Sequence, residues 1–322
     1  INNRKRSSSF LHRIIMRFNL NFKNILRKPL WRIPFRILIR IFMATKILFP
    51  RLILGLIVKN KLIRKKINNF INSNQLLENK LKEINPDVVI NCAAMTHVDQ
   101  CETHQEACWS QNVTALEYLI AGCIEANALL IQLSTDFIFD GLAGPYAEEA
   151  LAHPLSYYGK SKLASEDLLK ASPVKSAIVR TVLVYGIAHD MSKLNIMLWI
   201  KHSLEQGKKI QVINDQWRTP TLAEDLALGC MAIAQKKAEG IFNISGKDLL
   251  TPHDMALKTA HFFKLDASLI KEVDGSVFTQ PAQRPARTGF ILDKAITELN
   301  YKPHSFDEGM AILQKQLSLR SL

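Results

Sequence analysis

The chain predicts a doubly wound α/β fold, a parallel sheet layered with helices, on two observations. Short apolar, β-branched runs alternate with stretches whose apolar residues recur at helical spacing. Small and hydroxyl-bearing residues stand directly after several of those runs, where sheets of this kind open their clefts. Residues 76–84 read as a helix that Pro86 ends, and 87–91 (DVVIN) as a strand buried on both faces. Cys92, Ala93 and Ala94 follow, small enough for a backbone to run close to a ligand. Residues 108–127 read as one helix and 129–133 as the next strand, closed by Ser134-Thr135-Asp136. Pro154 and Ser156 mark a helix start, and YYGKSKLASEDLLK continues it. Strands are expected at 176–185, 209–213 and 241–244. Helices are expected at 194–206, with Trp199 in the core, at 223–236, and near 252–263 and 305–318.

A chain of 322 residues suffices for one large domain or two smaller ones, and 48% hydrophobic with 22% charged residues is an ordinary globular balance. The net charge of +13 sits at the front: residues 1–77 carry 18 Lys and Arg and no acid, leaving 24 basic residues against all 29 acidic ones. The body is therefore mildly acidic, and no nucleic-acid partner is expected. Residues 1–42 read as a basic extension outside the fold. Residues 41–58 are apolar but interrupted by Lys46, Pro50 and Arg51, so no stable membrane span is expected. Residues 43–48 suit a first strand. A nucleotide-binding fold next needs a glycine-rich turn for a pyrophosphate, yet Gly55 is the only glycine before Gly122. The N-terminal β-α unit is thus atypical. An altered reading frame is the favoured account of this acid-free stretch. A variant that has lost cofactor binding and a membrane-surface anchor over residues 1–70 are the alternatives. Five cysteines (92, 101, 108, 123 and 230) form no C-x-x-C pair, which points to free thiols in a reducing compartment, the cytoplasm, with no metal site.

Tyr158 and Lys162 are four residues apart on one helix and share a face. A phenol titrates near ~10. An ammonium beside it is expected to lower that value and ready the phenol for proton exchange with a carbonyl or alcohol. Thr135 adds a hydroxyl at a strand end.

Asn91-Cys92-Ala93-Ala94-Met95-Thr96-His97-Val98-Asp99 is similar to the stretch N-A-A-A-x-T-x-V-D, and Ser134-Thr135-Asp136-Phe137-Ile138-Phe139-Asp140-Gly141 to S-T-D-Y-V-F-x-G. With Arg180-Thr181, Val184-Tyr185-Gly186, Asp215-Gln216, Pro220-Thr221 and Arg284-Pro285, the set resembles the dTDP-4-dehydrorhamnose reductases, extended short-chain dehydrogenases/reductases, over about residues 76–322. The resemblance implies a Rossmann-like domain over 43–245, atypical at 43–75. It also implies a smaller substrate-binding part at 246–322, to which residues about 187–222 contribute. Tyr158 would donate a proton to the sugar C4 oxygen, Lys162 would lower its pKa and hold the nicotinamide ribose, and Thr135 would hydrogen-bond the reacting oxygen. Hydride would come from NADPH or NADH, bordered by Asn91, Ala93, Ala94, Ser134 and Tyr185. Asp136, Trp217, Arg218 and Arg284 would face the nucleotide sugar, with Arg218, Arg284 and Arg287 toward its phosphates. Asn112 would anchor the helix behind the site. The partner implied is the nucleotide sugar, and the assembly it admits is a homodimer. An epimerase or dehydratase on the same scaffold is a second reading, although Phe137 stands where a dehydratase needs an acid. A non-catalytic binding subunit, as among relatives that regulate methionine adenosyltransferase, is a third.

Overall fold

The computed structural model describes residues 74–187 and 194–320, all within one compact unit, Leu54–Leu322. The basic extension, the expected first strand and Gly55 lie outside the described residues. In chain order the elements are α1 (Asn74–Ile84), β1 (Val88–Asn91), α2 (Val98–Thr103), α3 (Gln105–Trp109), α4 (Ala115–Glu125), β2 (Leu129–Thr135), α5 (Tyr157–Ala171), β3 (Ser176–Thr181), β4 (Val184–Tyr185), α6 (Ile196–Glu205), β5 (Ile210–Ile213), β6 (Thr221–Leu222), α7 (Ala223–Lys236), β7 (Gly240–Asn243), α8 (Pro252–Phe263), β8 (Ile270–Val273), α9 (Asp293–Leu299) and α10 (Phe306–Arg320).

The main sheet runs β1-β2-β3-β7 with every pair parallel. This is the doubly wound arrangement expected from the alternation of apolar runs and helices. The register sets Asn91 beside Gln132, Ser134 beside Arg180 and Thr135 beside Thr181, so the carboxyl ends of three strands share one edge. Leu116, Leu119, Ile120 and Cys123 of α4 and Leu169 of α5 pack on Leu130 and Ile178, and α7 and α9 pack against β2, β3 and β7. A second sheet pairs β5 with β8. Around it α6, β5 and α8 share a core of Ile200, Leu204, Ile210, Val212, Ala256 and Ala260.

Three sequence expectations change. The helix expected at 108–127 is divided, because a π-turn at Ser110–Thr114 separates α3 from α4. The contacts there are long-range: Ser165 Oγ donates to the Asn112 carbonyl at 2.7 Å, and the Asn112 side chain is taken by Met95 and Ser161, where one turn leaves the α-helical ladder. The strand expected at 176–185 breaks at Leu183, whose φ of 35° is left-handed, and β4 pairs with β6 instead. Trp199 is 39% exposed and not a core residue. The inward stripe of α6 is Met197, Ile200 and Leu204, and Trp199 falls beside it. Short α2, α9 and β8 carry too little periodicity to have been foreseen.

Candidate active site

α5 starts where its sequence says it should. Ser156 is its N-cap and accepts from Gly159 N–H at 3.2 Å, satisfying one of the donors a helix start leaves open. Gly159 is there for space: a Cβ at that position would run into the Phe137 carbonyl oxygen and come within 2.9 Å of the Pro154 Cβ. The first turn of α5 thus lies directly on the turn that follows β2. Gly159→Ala is expected to destabilise the fold by about 1–3 kcal/mol through this overpacking. A denaturant midpoint equal to wild type would show that the contact is not as tight as described.

This seating brings Tyr158 to Thr135. The phenol is buried among Cys101 and Cys108, with the Phe137 ring edge-on at 6.0 Å. Burial pushes its pKa well up, and a hydrogen bond with the Thr135 hydroxyl opposes that rise. Thr135 Oγ1 also donates to Asp136 Oδ1 at 3.1 Å and accepts from Phe137 N–H at 3.2 Å, so the hydroxyl is fixed from both sides. The expectation that Lys162 lowers the Tyr158 pKa is corrected here. Lys162 Nζ donates to the Leu133 carbonyl at 2.6 Å, and burial brings the ammonium itself down to about 8, with Glu166 as the largest opposing influence. The Leu133 carbonyl also accepts from Gln132 Nε2 at 2.9 Å. Gln132 Oε1 accepts from Asn91 Nδ2 at 2.8 Å, so Asn91 at the end of β1 is linked to Lys162 through one strand-end carbonyl. Asn91 Oδ1 takes the Ala93 N–H at 3.0 Å, which turns the chain off the strand. Ala93 and Ala94 remain half-buried beyond it.

Asn112 anchors the site from behind. It accepts from Met95 N–H at 2.8 Å and donates to the Met95 carbonyl at 3.1 Å and to Ser161 Oγ at 2.9 Å, joining the loop after β1 to α5. Ser134 does not face the phenol: its hydroxyl donates to Glu166 Oε1 at 2.6 Å. Glu166, fully buried, pairs with Arg180 through Nε at 3.1 Å and Nη2 at 2.8 Å, and Arg180 Nη1 reaches the Glu148 carbonyl at 2.8 Å. Tyr185, expected at the cofactor, is a core residue instead. It is 1% exposed, its ring lies 5.0 Å from that of Phe306, and its hydroxyl is pressed against Gly309.

The four residues expected to face a nucleotide sugar converge on one loop, 282–288, and are largely committed to it. Arg218 is 5% exposed. Its guanidinium donates to the Trp217 carbonyl at 2.7 Å, the Pro285 carbonyl at 2.7 Å and the Ala286 carbonyl at 3.3 Å, with Asp136 3.8 Å away. It holds the loop in place of the phosphate contact anticipated. Asp136 is buried, accepts from Thr288 and is raised by burial against the opposing Arg218 charge. Arg284 grips Asp99 through Nη1 and Nη2, at 3.0 and 2.7 Å, and this bond holds the Asp99 carboxyl below its usual range. Trp217, half-buried, carries the exposed Arg287 guanidinium 5.4 Å over its ring. These two stay open to the surface. Sequence reasoning passed over Asp99, Glu166 and Thr288. Asp99 closes the quoted N-A-A-A-x-T-x-V-D stretch, and Glu166 stands one turn after Lys162, which were the available signals.

Among the described residues no cluster of three or more His, Cys, Asp or Glu is placed to hold a metal ion, and no helix is long and apolar enough to cross a membrane. All five cysteines are free. A buried ammonium at a strand-end carbonyl, bordered by small residues, fits the ribose and nicotinamide half of a dinucleotide. The residues expected at its pyrophosphate lie outside those described.

A parallel doubly wound sheet with a hydroxyl, phenol and ammonium at its carboxyl edge defines an extended short-chain dehydrogenase/reductase architecture. The chain belongs to the family described as RmlD substrate binding domain, whose model matches residues 62–318. It is 31% identical to a probable low-salt glycan biosynthesis reductase of Haloferax volcanii, over 74% of this chain and 80% of that one. It is 30% identical to methionine adenosyltransferase 2 subunit beta of Bos taurus, over 67% of this chain and 66% of that one. Among solved structures, a dTDP-4-dehydrorhamnose reductase from Clostridium acetobutylicum superposes with a TM-score of 0.71 at 28% identity, over 77% of this chain and 87% of that one.

Proposed function

We propose that the chain is an NAD(P)H-dependent reductase of a 4-keto deoxysugar nucleotide, acting in nucleotide-sugar and cell-surface polysaccharide biosynthesis. The observation that carries this reading is the buried phenol of Tyr158 against the strand-end hydroxyl of Thr135. A phenol raised by burial keeps its proton until the neighbouring oxygen gains negative charge. A nascent sugar alkoxide is more basic than a phenolate, so the proton then moves downhill to it. The bound nicotinamide supplies the hydride. Thr135 steadies the reacting oxygen, and Lys162 holds the ribose while its positive charge favours transfer. Asn91, Ala93 and Ala94 border the cofactor, and Trp217 with Arg287 offers a stacking face and a cation to the nucleotide. The similarity to two proteins named as reductases supports the same reading, and five free thiols support a cytoplasmic setting.

The test is loss of NADPH or NADH absorbance on addition of dTDP-4-keto-6-deoxymannose. Turnover is expected, with kcat/KM falling as pH rises through about 8, where the Lys162 ammonium gives up its proton. Neither cofactor being oxidised above the protein-free rate would overturn the assignment, and an alkaline limb that stays flat would remove the role of Lys162. A second reading, a binding subunit without turnover, is favoured by the similarity to methionine adenosyltransferase 2 subunit beta, and the same assay separates the two.

A further inference from the structure

α2 lies between the 282–288 loop and the start of α5, and its two carboxylates reach both. Its first turn carries Asp99, whose two oxygens take the Arg284 guanidinium at 3.0 and 2.7 Å, while Oδ1 also accepts the Ala282 N–H at 3.3 Å. Arg284 Nη1 turns back to the Ala282 carbonyl at 2.8 Å, so the start of the 282–288 loop is closed into a ring on this one carboxylate. At the other end of α2, Glu102 Oε2 accepts the Tyr157 N–H at 2.9 Å, one of the donors that the start of α5 leaves without a helical partner, next to Tyr158. Between them Cys101, fully buried, packs against Tyr158 and lies 3.5 Å from the Met95 carbonyl.

We propose that α2 is a strut, with Asp99 and Glu102 as positioning residues that couple the seating of the 282–288 loop to the placement of Tyr158. The loop also carries the backbone that Arg218 grips and stands beside Trp217, so a nucleotide sugar settling there acts on the phenol through two polar contacts and one short helix. The kinetic part of this inference rests on the proposed reductase function, and the structural part does not.

Amide hydrogen exchange on the full chain tests it without turnover. Asp99→Asn, nearly isosteric, gives up the charge of a two-pronged ionic hydrogen bond. It is expected to speed exchange about tenfold across 282–288 and also to raise it at residues 157–160, which Asp99 does not touch. Glu102→Gln is expected to raise exchange at 157–160 and, in return, at 282–288. Arg284→Lys keeps the charge without the fork and is expected to fall between wild type and Asp99→Asn, which keeps the question answerable if one variant folds poorly. Loosening confined to the mutated end would reduce α2 to two unrelated local ties and overturn the proposal, as would unchanged exchange at both ends. In the reduction assay Asp99→Asn is expected to raise KM for the sugar nucleotide about tenfold and to lower kcat as well, whereas a purely local tie would move KM alone. A wild-type chain that turns over no substrate would remove the reductase reading and leave the exchange result standing.

Discussion

Replacing Tyr158 by phenylalanine is expected to lower kcat by about 10²- to 10⁴-fold, the usual worth of a positioned general acid. The change removes one oxygen and leaves the ring. The edge contact with Phe137 and the packing among Cys101 and Cys108 therefore persist, and Thr135 keeps its bonds to Asp136 and to the Phe137 amide. Stability is accordingly expected to move by no more than about 1 kcal/mol, the net worth of an ordinary hydrogen bond. Steady-state kinetics beside a urea melt check both halves. A large loss of turnover in a protein that melts as wild type assigns the proton to Tyr158, while turnover that survives the change takes it away.

Arg180→Met is expected to have the largest effect on stability, about 3–5 kcal/mol. Glu166 has no exposed surface, and with Arg180 gone its carboxylate would keep the Ser134 hydroxyl and, at 3.6 Å, the half-exposed Lys170. Two hydrogen bonds to a buried charge are lost, and the Glu148 carbonyl loses its donor. The double variant Arg180→Met, Glu166→Leu removes the stranded charge and is expected to regain part of the loss. A urea titration of the wild type, the single and the double variant decides this. A single variant as stable as wild type would mean that the pair contributes nothing to the fold.

The parts of this molecule that local chemistry sets were readable in the sequence. The helix expected at 223–236 is α7 to the residue, since an apolar stripe and an acidic first turn both lie within it. α5 begins directly after its Ser156 cap. The nearness of Tyr158 to Thr135 and the place of Asn112 behind the site were expected only through the resemblance of the quoted motifs to the reductase family, not from helix or strand ends. Where the sequence misled, the determining partner was far away along the chain. Arg218 and Arg284 look like phosphate ligands until their acceptors, the carbonyls of Pro285 and Ala286 and the carboxylate of Asp99, are brought beside them. The expected effect of Lys162 on Tyr158 failed for a different reason. Spacing on a helix shows that two side chains share a face, but not that one of them is drawn off to a strand carbonyl or that burial outweighs the charge.

The Asn112 junction bears on how the protein is made. A ribosome releases the chain from its N-terminus, and domains begin to fold as they emerge. Asn112 bonds backward to Met95, but its other partners, Ser161 and Ser165, are synthesised roughly 50 residues later, and the Arg284 that grips Asp99 comes later still. The chemistry-bearing edge of the sheet thus draws on segments far apart in the chain and is complete only once the 282–288 loop has been made.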